Sequence, residues 1–482
     1  MGTLSELKTM KFKNGRFAPS PTGSLHIGGL RTCLANAILA KNWHWRVEDT
    51  DTERQTEGSI NDLVSNLSSI FNKTFIHCQS HRRHLYVSFC SLLQELAYES
   101  YDTPEELGRK RDGNPGFKYK KAEQTDSLRA RDGVPGTTRI DSDAVLKCLQ
   151  DRDDNLNCEV LRHDINNVLK KDQIDDFVLI KSNGMPSYFL ASVFDDTAED
   201  VDLVIRGEEW LGTFGNVWML MSLTRDIRNI KDKINYLHLP LILNPDKSKM
   251  SKRNTQVEST ISGLNKQGYL TEAILNYCYQ LLVPASTDKL SLDEMMNQTI
   301  SLDDIVSKPV CFDPAILDRY QKMWLRANIK RISNLTQIKE SLNNYDLDTT
   351  KLTAAKLEAL TTCVIDKMPQ IKTQDQIISV LKDSMDPQNF KADISDSLND
   401  EDKTWLKEFW FFYQNDTSKD PLDLIELVNL KTGSNFSKTD CLKLLQTFLM
   451  GAKSTFRVNI ISQYLSDDDL KGRFEVLLAN NV

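Results

Sequence analysis

Two segments of this sequence carry residues suited to handling a nucleotide. The first is Ala18-Pro-Ser-Pro-Thr-Gly-Ser-Leu-His-Ile-Gly-Gly29. It follows a short extended run, Arg16–Ala18, and precedes Leu30, Leu34, Ala37 and Ile38 at helical spacing, which predicts a helix opening near His26–Gly29. A helix start offers unpaired amides and a partial positive charge to phosphate. Gly28 and Gly29 let a nucleotide lie against bare backbone, and His26 can donate to the charge that develops on phosphate oxygens during displacement. The second segment is Asp246-Lys-Ser-Lys-Met-Ser-Lys-Arg253, just after the apolar run Leu237–Leu243. The carboxyl end of a strand is where open α/β sheets bind ligands. Lys249, Lys252 and Arg253 supply charge for a triphosphate there, and Ser248 and Ser251 supply hydroxyl donors. Taken singly, the first segment is more often a proline-glycine turn and the second a solvated basic loop. Both in this order on one chain change those odds.

The elements that must position these residues alternate between strand-like and helix-like stretches. His44–Glu48 reads as a strand, and Phe177–Ile180, Val201–Ile205 and Leu237–Leu243 are apolar, β-branched or leucine-rich runs bounded by turn residues, as buried parallel strands tend to be. The expectation is an α/β chain with a doubly wound Rossmann-type catalytic domain, formed by residues 1–75 and 176–245. A polar stretch over 76–175, with Gly113, Pro115, Gly116, Gly133, Pro135 and Gly136, reads as an inserted module. Residues 246–315 then carry the basic loop. From 316 to 482 glycine nearly vanishes and helical stripes follow one another, such as Leu357, Leu360, Val364 and Met368, then Leu442, Leu445, Phe448 and Leu449. An all-α C-terminal half is expected.

Bulk composition agrees with a multidomain globular chain. The 482 residues exceed one core, and 40% hydrophobic with 27% charged residues argues against wholesale disorder. No stretch suits a membrane helix, and Met1–Gly15 lacks the apolar core of a secretory signal. Nine scattered cysteines without a CxxC predict reduced thiols, in a cytoplasm or an organelle matrix. A net charge of −8 disfavours a wholly nucleic-acid-binding surface but leaves room for local basic stripes.

His26-Ile-Gly-Gly29 and Lys249-Met-Ser-Lys-Arg253 together resemble the HIGH and KMSKS signatures of class I aminoacyl-tRNA synthetases. The wording Arg16-Phe-Ala-Pro-Ser-Pro-Thr-Gly23, with Gly-Gly closing the first motif and Lys-Arg the second, is similar to glutamyl-tRNA synthetases. Further segments match in order: Val47–Arg54, Asp176–Gly184, Pro186–Tyr188, Phe194–Asp196, Val204–Trp210 and Gly268–Asn276. The resemblance implies activation of L-glutamate with ATP and Mg2+, then transfer to tRNA-Glu, by a chain acting as a monomer without a membrane.

The same resemblance implies roles residue by residue. Pro19, His26, Gly28, Gly29, Glu209 and Trp210 would seat ATP, with Lys249, Ser251, Lys252 and Arg253 on its phosphates. His26, Lys249 and Lys252 would be the catalytic groups, stabilising charge rather than forming a covalent intermediate. Arg16 and Arg206 would meet the two carboxylates of glutamate, because a guanidinium fork binds a carboxylate bidentately. Glu48 would answer the ammonium, and Ala18, Ser20, Tyr188 and Ser192 would complete the pocket. Magnesium would travel with the ATP phosphates, since no carboxylate cage is evident.

This copy also departs from the family. Only Asn42-Trp-His-Trp45 stands where relatives carry a Gly-Gly-x-Phe stretch, so that loop is shortened. Where some members bind zinc, Ser100 and Asp102 precede Thr103-Pro-Glu-Glu-Leu107, so no structural zinc is expected. In the C-terminal half the match is thin, and an anticodon-binding role there rests on position and helical texture. Glutaminyl-tRNA synthetases share the opening but normally end in β-barrels. A catalytically impaired paralogue that binds tRNA or a partner is the alternative from another class.

Overall fold

The computed structural model describes residues 11–73, 75–112, 117–121, 136–150, 158–163, 174–230, 232–248, 258–329, 354–367, 371–385, 399–415, 421–434 and single positions between these and up to 445. The chain divides into two units, Met1–Leu317 and Asp318–Val482.

In the first unit, six strands form one sheet: β1 (Phe12–Phe17), β2 (Ala40–Val47), β3 (Phe75–Cys78), β6 (Cys158–Val160), β8 (Leu203–Gly207) and β9 (Ile234–Leu239). Their order is β3-β2-β1-β8-β9-β6, and every neighbouring pair is parallel. β9 is buried at all six positions, so its polar residues Asn235 and His238 lie in the interior with its apolar ones. Helix α1 (Ile27–Leu39) is apolar nearly all round because the sheet lies on one side and helix Thr271–Leu282 on the other. β2 starts at Ala40, the residue after α1 ends, so Asn42–Trp45, expected as a shortened loop, are part of the strand itself, and helix meets strand directly. Gly15 permits it: a Cβ there would stand 2.9 Å from the Ala40 Cβ.

A second, antiparallel sheet is formed by β4 (Ala97–Ser100), β5 (Thr137–Ile140) and β7 (Val178–Ile180). Phe177–Ile180, expected among the parallel strands, therefore belongs to this smaller sheet. Leu179 is fully buried there, and Phe177 and Leu179 share one apolar cluster with the helices of the parallel sheet. A run buried on both faces looks the same in either setting, so hydrophobicity alone could not assign it. Conversely β6, inside the stretch read as an insertion, is an edge strand of the six-stranded sheet. Leu237–Leu243 also divides: Pro240 ends β9, and β10 (Ile242–Leu243) pairs with β11 (Val310–Cys311) instead.

Where some relatives were expected to hold zinc, the Ser100 hydroxyl lies 2.8 Å from the Tyr119 hydroxyl. Tyr119 also donates to Asp102, which pairs with Lys110 at 3.5 Å. The Arg139 guanidinium stacks over the Tyr119 ring at 3.9 Å.

The described residues of the second unit are helical, with no strand among them. Helices Ala354–Lys367, Gln374–Met385, Asp400–Asn415 and Pro421–Thr432 bury Leu357, Val364, Ile377, Leu381, Trp405, Leu424 and Val428. Of the expected stripe residues, Leu445 is buried, whereas Met368, Leu442, Phe448 and Leu449 lie outside the described residues. Among the described residues no helix is long and apolar enough to cross a membrane.

Candidate active site

The strand order reverses direction between β1 and β8, which is the topological switch point of an open parallel sheet. A cleft of about 450 Å³ opens at the carboxyl ends of these two strands. Its walls come from separate elements. β1 ends at Arg16-Phe17 and continues into Ala18, Pro19 and Ser20. β2 delivers Glu48, α6 (Tyr188–Ala198) delivers Tyr188, and β8 delivers Arg206. The 3-10 turn Glu208–Thr213 adds Glu209 and Trp210.

At one end stands the start of α1. His26 is its N-cap, in extended conformation, and its Nδ1 accepts from the Gly29 amide at 3.3 Å. A side chain at Gly28 would meet the His26 ring, its Cβ falling 2.9 Å from Cε1 and 3.0 Å from Nδ1. Glycine is thus required here by the imidazole as well as by room for a ligand. The chain beyond the basic loop returns to this point: the Ile27 amide donates to the Ser259 carbonyl at 2.9 Å, and the Ile261 amide to the Leu25 carbonyl at 2.8 Å. Ser259 and Thr260 accordingly line the cleft. Lys249, Ser251, Lys252 and Arg253 themselves lie outside the described residues.

At the other end lies a buried charge network. The Arg46 side chain, fully buried, donates to Asp196 at 2.7 Å, Glu199 at 2.8 Å and Glu48 at 3.1 Å. Arg16 donates through Nε to the same Asp196 oxygen at 3.0 Å. Behind them Asp195 accepts from Gln79 and from the Tyr86 hydroxyl, both at 2.9 Å. Burial works against both arginines, yet the neighbouring carboxylates, Asp196 foremost, hold them above the ordinary guanidinium value. Burial would likewise raise Asp196, but Arg16 and Arg46 override it and hold the carboxyl low. Glu48 goes the other way: burial raises it, against the opposing pull of Arg46 and Arg16.

His77, Asp195 and Glu199 approach one another closely enough to resemble a metal-ligand set. Arg82 lies 2.9 Å from the His77 Nε2 and 3.0 Å from Asp195, and Arg46 completes the charge balance, so the cluster is an ion-pair network. Its lone pairs face cations the chain already supplies.

Arg206 sits between these ends in a different environment. Its Nε donates to the His238 Nε2 at 3.0 Å, and its guanidinium lies 5.2 Å from the Tyr236 ring centroid and 5.9 Å from that of Phe214. Its Nη2 is buried without a hydrogen-bond partner, and among the described residues it has no ion pair. Tyr188 stacks on Trp210 with centroids 4.5 Å apart, forming an aromatic wall; burial first, and Glu48 next, push the Tyr188 phenol up.

The cleft therefore gathers Arg16, Ala18, Pro19, Ser20, His26, Gly28, Gly29, Glu48, Tyr188, Arg206, Glu209 and Trp210. Ser192 does not reach it. It lies one helical turn beyond Tyr188 and is buried away from the lining. The sequence reading passed over Arg31, His238 and Thr260. Arg31 lines the cleft, and its Nη2 donates to the Pro240 carbonyl at 2.5 Å, tying α1 to the turn after β9; burial lowers its guanidinium to about 10. Only pairing between remote segments brings these three in, so no local pattern could have flagged them.

Known proteins were compared with this chain. A family model described as tRNA synthetases class I (E and Q), catalytic domain, matches residues 14–318. A glutamate–tRNA ligase of Prosthecochloris aestuarii is 30% identical over 393 residues, spanning 73% of this chain and 74% of that protein. One from Dichelobacter nodosus is 32% identical over 340 residues, spanning 66% and 68%. Among solved structures, a glutamate tRNA ligase from Elizabethkingia meningosepticum, crystallised in complex with its amino acid, superposes with a TM-score of 0.70 at 23% identity. The alignment covers 97% of this chain and 99% of that one, and shows a shared fold.

Proposed function

Since the chain belongs to the class I tRNA synthetases of the E and Q group, we propose that it activates L-glutamate with ATP and transfers it to tRNA-Glu. The observation that carries this reading is the one cleft joining two chemistries. A helix N-terminus with bare glycines lies at one end, a buried carboxylate, Glu48, stands at the other, and between them is Arg206, a guanidinium with no counter-ion among the described residues.

In this reading the α-carboxylate of glutamate attacks the α-phosphorus of ATP, an oxygen–phosphorus bond forms, and pyrophosphate leaves with the electron pair. The resulting glutamyl-adenylate then passes its acyl group to the 3′ end of tRNA and releases AMP. Catalysis is positioning and charge stabilisation. His26 and the α1 amides face the phosphate; Trp210 and Glu209 flank the adenosine; Lys249, Ser251, Lys252 and Arg253 hold the departing phosphates. Arg16 and Arg206 meet the carboxylates and Glu48 the ammonium. Magnesium would accompany ATP through its phosphate oxygens, since the described carboxylates of the cleft, Glu48, engaged by Arg46, and Glu209, would not make a cage for it. The antiparallel module would meet the acceptor end of tRNA, and the helical second unit its anticodon. The helical texture of that unit favours glutamate over the glutaminyl relatives. A monomer in a cytoplasm or organelle matrix fits the free cysteines of the described residues.

Exchange of labelled pyrophosphate into ATP, with glutamate and with tRNA-Glu present or absent, tests the reading. Glutamate-dependent exchange in the presence of tRNA is expected. Its absence with both glutamate and glutamine would favour a catalytically impaired tRNA-binding paralogue.

A further inference from the structure

Two of the arginines that line the cleft, Arg16 and Arg206, differ in how their charge is balanced. Arg16 pairs with Asp196, and the nearby Arg46 is balanced by four carboxylates, Glu48, Asp195, Asp196 and Glu199. Arg206 has no carboxylate among the described residues. Its partner is His238, directly across the β8–β9 ladder in register with it. His238 is 4% exposed, and its Nε2 must carry a lone pair to accept from the Arg206 Nε at 3.0 Å. We infer that His238 is a positioning residue for amino-acid selection: it fixes the Arg206 fork through one neutral hydrogen bond and leaves the guanidinium charge to the substrate carboxylate.

The geometry gives the device its logic. An Arg on a strand end has long rotamer freedom, and one hydrogen bond at Nε orients the planar head while leaving the terminal nitrogens for a ligand. A carboxylate in place of the imidazole would orient it equally well but would neutralise it internally, as Asp196 does Arg16. The neutral state of His238 is enforced by its surroundings: burial foremost, then Arg206 and His163, depress the imidazole to about 2. The rings of Tyr236 and Phe214 beside Arg206 add contact without cancelling its charge. A buried guanidinium left in this state discriminates by penalty, because a ligand carrying a carboxamide in place of the carboxylate leaves it unneutralised.

This inference rests on the glutamate reading, so its test is a binding measurement that does not require turnover. Calorimetric titration of the full chain with L-glutamate, and separately with ATP, would be compared for wild type, His238→Asp and His238→Gln. His238→Asp should weaken glutamate roughly tenfold or more, the size expected when an internal carboxylate replaces the ligand's. His238→Gln keeps a neutral acceptor and should stay within about threefold of wild type, while ATP stays within about twofold in both. Wild-type glutamate affinity in His238→Asp overturns the inference. So does an equal loss in His238→Gln, which would make the effect one of packing, or a parallel loss of ATP, or failure of the wild-type chain to bind glutamate. If glutamate binds as expected but exchange never occurs, it is the catalytic reading that fails and this one that stands.

Discussion

The two ends of the cleft are built from different materials. Around Arg16 and Glu48 the site is made of side-chain charges that neutralise one another in a water-poor interior, held by Arg46 at its centre. Around His26 it is made of backbone: a helix start, two glycines, and the chain of Ser259–Ile261 returning against it. A charge network is rigid and costly to disturb, since removing one member leaves its partners buried and unpaired. A backbone site is less specific about charge but demands small residues and correct caps. In the proposed reading, amino-acid choice would fall to the rigid end and phosphate handling to the backbone end.

Breaking the rigid end should cost most. Arg46→Met strands Asp196, Glu199 and Glu48 without their common cation, and a loss of about 3–5 kcal/mol is expected. Urea unfolding of the full chain measures it, and a change below about 1 kcal/mol would show the network to be dispensable. Arg206→Ala removes the guanidinium that has no carboxylate partner among the described residues, so the fold should survive while the Michaelis constant for glutamate rises on the order of a hundredfold. Equal losses for glutamate and ATP would instead indicate general misfolding.

At the backbone end, Lys252→Ala should slow exchange on the order of a hundredfold with glutamate affinity retained, the mark of a group that acts on developing charge. Unchanged turnover would remove Lys252 from the phosphate site. Gly28→Ala pushes a methyl into the His26 ring and should lower turnover roughly tenfold by displacing that imidazole; full activity would mean the ring position is immaterial.

The smallest effect concerns pH. Asp195 and Asp196 lie below the ordinary carboxylate value in the folded chain, despite the upward push of burial. Their contribution to stability is therefore fully present above the unfolded value of about 4 and is lost as pH falls through the lower folded-state values. Urea midpoints followed from about pH 6 down to about pH 3 should drop at the acid end, and less steeply in Asp196→Asn than in wild type. Parallel curves would mean that the network does not govern the acid limb.

Much of this was legible in the sequence because it is local. The helix opening at Ile27 with His26 as its cap followed from a proline-glycine turn and the 3.6-residue spacing of Leu30, Leu34, Ala37 and Ile38. The helical C-terminal unit followed from its stripes. Strand partners were not legible. Phe177–Ile180 and Leu237–Leu243 have the same apolar texture, yet Val178–Ile180 joins an antiparallel sheet and Pro240 breaks the second run.

What the sequence determined by itself was the family and the kind of chemistry, through the order in which a Rossmann-type chain presents its motifs. Hydrogen-bonding capacity, charge type and helical period are properties of side chains and their spacing, so they survive without coordinates. Only the tertiary structure decided how each charge is balanced. Arg16 and Arg206 look alike as letters, but packing gives one a carboxylate and the other a buried neutral imidazole from the next strand. Likewise Ser192, a candidate contact by position, is buried and does not line the cleft. Charge compensation and access depend on atoms brought together from remote parts of the chain, and those distances are set by the fold.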